Sequence, residues 1–409
     1  MAADPGGIAA ADVMERAEAA EAARTLAPLL PAPLVETFGA SFILSDHLFD
    51  EFVARLALGV FRGTGLAEAA RDPGTADEIC ERAGFARDRA AVPVDWILRK
   101  LAVRGILSTT NGQPFRFRVP GALPVLDPAP IREAQRCEDA SWLPSYALAE
   151  TVARDYPAFL RGERTGEEIL FSPARLRLWV DFFSNDNTLY AVNNRVGAVA
   201  VEEWMPPGPA RILELGGGLG SAASAVLERL RSAGRWKDVV EYRFTDVVPA
   251  FLRRGQNALQ QRFPDAPFLT FASLDMNRPF GEQGVESGAF SLVHAVNTVH
   301  VARDLEFTLR EIAGALRPGG VLAISECVRL LPGQAIYAEF IFNMLESFRS
   351  PVLHPAYRPN GGFLTPAQWR TAFESVGYDD VRYLPDVERL KATFPDFYVA
   401  AIGATRRRT

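Results

Sequence analysis

From Arg211 onward, short apolar runs alternate with segments that read as helices, and this alternation constrains the fold more than any other feature. The runs are Arg211–Leu215, Tyr242–Asp246, Phe268–Ala272, Phe290–Val296 and Val321–Glu326, with Val381–Leu384 and Phe397–Ile402 following late. Strands joined by helical crossovers of one hand build a doubly wound α/β sheet. One crossover helix, Asp304–Leu316, is expected to stop at Arg317-Pro-Gly-Gly320. Met205-Pro-Pro-Gly-Pro209 marks a boundary just before the first strand.

The first run leads into Glu214-Leu-Gly-Gly-Gly-Leu-Gly220, and a helix opens near Ser221. Glycines let a backbone approach a ligand closely, and a helix N-terminus offers free N–H groups to an anion. A nicotinamide-type G-x-G-x-x-G counted from Gly216 and Gly218 needs a third glycine at 221, where Ser221 stands. The spacing is instead Glu214-x-Gly216-x-Gly218-x-Gly220. An acidic residue ahead of the glycines repels a pyrophosphate and suits a ligand carrying an ammonium group. Asp246 ends the second run, Asp275 and Met276 follow the third, Asn297 and His300 follow the fourth, and Glu326 ends the fifth. Ligands of such sheets bind outside the carboxyl ends of the strands, so these residues share one edge. Histidine is the natural general base at neutral pH, and a carboxylate beside it fixes its tautomer.

The glycine loop resembles motif I of the class I, Rossmann-like S-adenosylmethionine-dependent methyltransferases. That resemblance implies S-adenosylmethionine as cofactor, with Glu214, Gly216, Gly218, Gly220 and Asn297 among the residues around it. It further implies Asp246 on the ribose hydroxyls, Asp275 on the adenine amino group and Met276 against the ring. Two families share the His300/Glu326 pair. Val296-Asn-Thr-Val-His-Val-Ala-Arg-Asp-Leu305, Phe244-Thr-Asp246 and Phe251-Leu252 look like the C-methyltransferase domains of polyketide synthases. There the matching histidine deprotonates a carbon between two carbonyls. The Gly-Gly-Gly loop and Ile324-Ser-Glu-Cys-Val328 look like the small-molecule O-methyltransferases, which dimerise through a winged helix. In those the histidine deprotonates a phenol or enol. Val301-Ala302 departs from the Asp-Trp usual in the second family, and the 409 residues hold no neighbouring synthase domain as in the first.

Ahead of the sheet, residues 8–30 read as an alanine-rich helix closed by Pro28, Pro31 and Pro33. Helical patterns around 46–60 and 75–84 precede a third from Pro93 to Gly105. Ile106–Thr109 and Phe115–Val119 then read as strands joined through Asn111-Gly112, a strong hairpin signal. Three helices and a hairpin outline a winged helix. Residues 131–205 read as an aromatic-rich helical connector, with Phe183, Tyr190 and Asn193 as candidate acceptor-pocket residues. Phe340, Asn343, Met344 and Phe348 fall on one helix face after the fifth strand, and the first three join that set. The expected division is 1–130 for assembly, 131–205 for the connector and 206–409 for chemistry.

Charge narrows the partners. Lys plus Arg total 44 against 50 Asp plus Glu, a net −6, which argues against a dedicated nucleic-acid binder. Residues 87–120 run the other way, with seven basic residues against two acidic. No run approaches the ~20 apolar residues of a membrane span, and no basic segment precedes an apolar one near Met1. Cys80, Cys137 and Cys327 are too scattered for a disulfide framework, and no His/Asp/Glu spacing reads as a metal site. The expectation is a cytoplasmic homodimer that methylates a small-molecule acceptor at oxygen or at an acidic carbon, without nucleic acid or membrane partners. Two alternatives stay open: a non-methylating enzyme using the same cofactor, and a cofactor-responsive winged-helix DNA-binding regulator.

Overall fold

The computed structural model describes residues 14–110 and 115–408. Its contacts divide into two units that interleave along the chain. Among the described residues, the first comprises 14–25, 38–110, 115–179 and 335–346, and the second comprises 26–37, 180–334 and 347–408. The expected connector, 131–205, is thus shared between the units at residue 179.

The first unit is mainly helical. Its long helix Ala40–Gly63 buries Phe49, Phe52 and Phe61 and extends well beyond the expected 46–60. Thr75 and Glu78 form a reciprocal capping box that starts the helix Ala76–Arg82. The next helix runs Arg87–Val103, so Pro93 lies inside it rather than at its start. A proline there removes one backbone bond, and the burial of Ala90, Pro93, Val94 and Ile97 on one side outweighs that loss. Two short strands, β1 (Ser108–Thr109) and β2 (Phe117–Arg118), pair antiparallel. The Asn111-Gly112 turn lies outside the described residues, as do residues 8–13 of the alanine-rich segment. Helices Ala129–Glu138 and Leu143–Arg161 complete an aromatic core in which Tyr146 packs on Phe49 and Phe52.

The basic stretch 87–120 is largely neutralised inside this unit. Arg87 pairs with Asp77, Arg99 with Asp95, Lys100 and Arg104 with Asp50, and Arg116 with Glu78. Three of those four carboxylates, Asp50, Asp77 and Glu78, come from earlier helices, which a count over 87–120 leaves out.

The second unit is built on a seven-stranded sheet: β3 (Ala210–Leu215), β4 (Val239–Thr245), β5 (Leu269–Ala272), β6 (Phe290–Val296), β7 (Leu316–Cys327), β8 (Tyr378–Leu384) and β9 (Val399–Arg406). The order is β5-β4-β3-β6-β7-β9-β8, parallel except for β9, which runs antiparallel to both neighbours. Every residue of β6 is buried, as a central strand covered on both faces requires. The strand β7 begins earlier than expected: Leu316 pairs with Phe290, and Arg317-Pro-Gly-Gly320 becomes an irregular stretch of strand rather than a helix terminus. The preceding helix therefore ends at Ala315. The sheet switches direction of winding between β3 and β6, and their carboxyl ends open the crevice where ligands bind.

Candidate active site

The glycine loop follows β3 directly. Gly216 and Gly218 sit at φ +61 and +60, backbone that residues with a Cβ adopt at a cost. A Cβ on Gly216 would also approach Thr298 Cγ2 to 2.5 Å, so the loop and the segment after β6 touch here. Two bonds hold the loop to β4: Gly217 N–H donates to Thr245 O (2.8 Å), and Gly218 N–H donates to Asp246 Oδ2 (2.9 Å). Asp246 Oδ1 accepts from Val248 N–H at 2.7 Å, and burial raises this carboxyl's pKa.

Glu214 faces inward. It is 1% exposed, its Oε2 accepts from Tyr242 O–H at 3.0 Å, and Oε1 lies 3.9 Å from His294 Nε2 on the adjacent strand. Burial pushes the Glu214 carboxyl up to about 8 and the His294 imidazole down to about 4, so both groups are held neutral between those values. Glu214 therefore supports the loop from within the sheet. Tyr190 faces this region too, its hydroxyl pKa raised by burial and by the Glu214 and Asp246 charges.

The segment after β6 carries the tightest geometry. Glu326, fully buried near the end of β7, presents Oε2 to His300 Nδ1 at 2.6 Å. Its other oxygen, Oε1, accepts from the backbone N–H groups of Thr298 (3.2 Å), Val299 (2.9 Å) and His300 (3.4 Å). The carboxylate thus caps the 3-10 turn Val299–Val301 that bears the histidine. A carboxylate only accepts, so Nδ1 carries the imidazole proton and Nε2 keeps its lone pair. Phe363 and Phe348 wall the ring, with centroids 4.7 and 5.7 Å from it.

The remaining expected residues lie in several places. Asn297, at φ +48, accepts from Cys327 N–H through its side chain and donates from its own N–H to Ser325 O, bridging β6 to β7. Asp275 Oδ1 closes its own turn by accepting from Asn277 N–H (2.9 Å), and Met276 packs against the sheet's hydrophobic core. Phe183 lies 5.1 Å from Tyr190, ring to ring, and its carbonyl accepts from the Ser221 hydroxyl. Asn193 ties its helix to β7, its carbonyl accepting from Ser325 Oγ at 2.8 Å. Phe340, Asn343 and Met344 belong to the first unit, where Phe340 stacks on Tyr156 at 4.9 Å. The helix expected to carry them is two short ones, Glu339–Phe342 and Glu346–Arg349. Among the described residues no cluster of His, Cys, Asp or Glu could hold a metal ion.

Residues 213–322 match a family profile described as a methyltransferase domain. Residues 213–322 are thus a methyltransferase domain, and the fold is that of the class I, S-adenosylmethionine-dependent enzymes. The chain is 29% identical over 391 residues to polyketide synthase ThaQ of Burkholderia thailandensis, covering 87% of this chain and 17% of that one. Its fold is similar to that of the CurJ carbon methyltransferase, at TM-score 0.74 and 22% identity, covering 95% of this chain and 99% of the other. It is likewise similar to the CMeT domain of the citrinin polyketide synthase, at TM-score 0.72 and 19% identity, over 96% and 98%. The chain spans less than a fifth of the length of the curated relatives it matches.

The methyltransferase's residues fit the cofactor. A Cβ on Gly218 would meet nothing within 4 Å, so the loop leaves its backbone open on that side. The helix Ser221–Ser232 starts from Gly220, which has no capping side chain; the Ala223 N–H goes to the Glu214 carboxyl, and the N–H groups of Ser221 and Ala222 ahead of it suit a ligand carboxylate. Asp246 keeps acceptor capacity beyond its two backbone bonds, as ribose hydroxyls require.

Sequence reasoning missed Thr298, Phe348 and Phe363 as neighbours of His300. Phe348 stands on the expected helix face, but no local spacing ties it or Phe363 to His300. Proximity across 48 and 63 residues of chain is set by the fold.

Proposed function

We propose that this domain transfers a methyl group to the acidic carbon of a β-keto acyl acceptor, with His300 as general base and Glu326 as its partner. The observation that carries the reading is the Glu326 contact, 2.6 Å from Nδ1, which leaves Nε2 as the proton acceptor. The similarity to proteins named as carbon methyltransferases and polyketide synthases supports carbon over oxygen.

The cofactor, when bound, supplies a methyl group made electrophilic by its sulfonium. Gly216, Gly218, Gly220 and Asp246 would hold it. His300 Nε2 removes the proton from the carbon between the two carbonyls, leaving on that carbon the electron pair that would accept the cofactor's methyl group. The imidazolium formed is balanced by the Glu326 carboxylate, itself fixed by three amides. Phe348 and Phe363, 1% and 3% exposed, keep water from the ring.

The test is incubation with S-adenosylmethionine and a panel of N-acetylcysteamine β-keto thioesters and phenols, read by mass spectrometry and NMR of the product. Methylation at the α-carbon of a thioester, lost in His300→Gln, is the expected outcome. Methylation of phenols alone, or wild-type turnover in His300→Gln, would overturn the proposal.

A further inference from the structure

The loop 351–359 delivers a fully buried arginine to the far side of the turn that bears His300. Arg358 Nη2–H donates to His300 O at 2.6 Å, and Nη1–H donates to Ala302 O at 2.6 Å. The turn Val299–Val301 is therefore gripped at both ends. The Glu326 carboxylate takes its leading N–H groups, and the Arg358 guanidinium takes its trailing carbonyls. Each charge sits at the end of the turn where the aligned peptide dipoles favour it.

We propose that Arg358 is a positioning residue that holds His300 in its proton-accepting orientation. The inference rests on the reading of His300 as the base. A guanidinium is suited to the task because its rigid fork spans two carbonyls at once, which a lysine ammonium on a flexible stem does less well.

The loop is itself anchored. Arg358 and His354 exchange both backbone bonds (2.8 and 2.9 Å), the His354 ring stacks on Tyr357 at 3.9 Å, and Tyr357 O–H donates to Glu306 at 3.2 Å. Val352 N–H donates to Arg303 O at 2.7 Å. These contacts tie the arginine to the chain just beyond the catalytic turn.

A purely structural role explains the residue poorly. Burial without a carboxylate hydrogen-bonded to it lowers the Arg358 pKa to about 10, which marks a costly placement. A methionine or leucine would fill similar volume without that cost. What the guanidinium adds is the pair of charge-assisted bonds to the turn that carries His300.

The test uses the full chain as Arg358→Lys and Arg358→Met, each read first by ¹⁵N NMR of the imidazoles. The four histidines, His47, His294, His300 and His354, give separable signals, assigned by single substitution. The expected result is a His300 signal that broadens or splits between tautomers in both variants, with His47 and His294 unmoved. With the N-acetylcysteamine thioester of acetoacetate as acceptor, kcat should fall about 10-fold while KM and cofactor affinity stay within about 2-fold, the pattern of a lost transition-state interaction. Arg358→Met is expected to be the more severe of the two. An unchanged His300 signal in Arg358→Lys would overturn the proposal, as would parallel losses of cofactor affinity and turnover. If Arg358→Met unfolds, Arg358→Lys decides alone by the same two readouts. Wild-type turnover in His300→Gln would instead remove the base assignment and leave the NMR result on Arg358 standing, so the two failures are distinguishable.

Discussion

Replacing Glu326 by glutamine changes one atom's chemistry and should disable the proposed base, His300, through its tautomer. Oε1 accepts from three backbone N–H groups, so the glutamine carbonyl must take that place; the reverse rotamer would press an NH₂ donor against three donors. The NH₂ then faces His300 Nδ1 at the position Oε2 held, 2.6 Å away. Two donors cannot share that contact, so Nδ1 gives up its proton and Nε2 becomes the N–H. Restoring the productive tautomer costs a lost charge-assisted bond of about 1.5–3 kcal/mol plus a donor–donor conflict of about 1–3 kcal/mol. At 1.36 kcal/mol per tenfold, turnover should fall by about 10²–10⁴. Cofactor affinity, measured by calorimetric titration, should stay within a few-fold, because Glu326 bonds to the catalytic turn and not to the glycine loop. The ¹⁵N spectrum of neutral His300 should switch from an Nδ1–H to an Nε2–H pattern. A Glu326→Gln enzyme with wild-type turnover, or one that keeps Nδ1–H, would refute the reasoning.

Two further outcomes follow from the loop and the sheet beneath it. Glu214 is raised to about 8 in the folded chain against 4.5 for the free group, so between those values the native state holds a proton that the unfolded state has lost. Stability from this group is therefore intact below about pH 4.5 and declines as pH rises toward 8, by at most about 5 kcal/mol at 1.36 kcal/mol per unit. Glu214→Gln should flatten that decline, and denaturant melts that fall equally in both proteins from pH 5 to 8.5 would contradict it. Gly217→Ala would drive a methyl group into the Phe244 ring and should cost about 1–3 kcal/mol, relieved in part by Phe244→Leu. Equal denaturation midpoints for Gly217→Ala and wild type would show that the ring has room.

The succession of strands along the chain, the glycine loop and the acidic residues at the strand ends are legible in the sequence because each is local. An apolar run of strand length, a glycine cluster between a strand and a helix, and a carboxylate closing a run need no knowledge of what lies across the fold. The helix start expected at Pro93 failed for the opposite reason, and the strand after the expected helix stop begins already at Leu316. Burial around Pro93 and the pairing of Leu316 with Phe290 overrode local punctuation. The excess of basic residues in 87–120 is likewise met by Asp50, Asp77 and Glu78 from helices outside it.

The sequence by itself determined that His300 and Glu326 lie on one edge of the sheet, because one follows and the other ends a parallel strand. Only the tertiary structure decided how they are used. The register of β6 against β7 sets Glu326 beneath the turn, where one oxygen meets three amides and the other meets Nδ1. The same packing gathers Phe348, Phe363 and Arg358 around that turn from 48 to 63 residues downstream of His300. It also assigns Phe340 and Met344 to the core of the other unit. Local pattern fixes which residues form strands and turns, but a hydrogen bond between distant segments exists only once the sheet has closed around it.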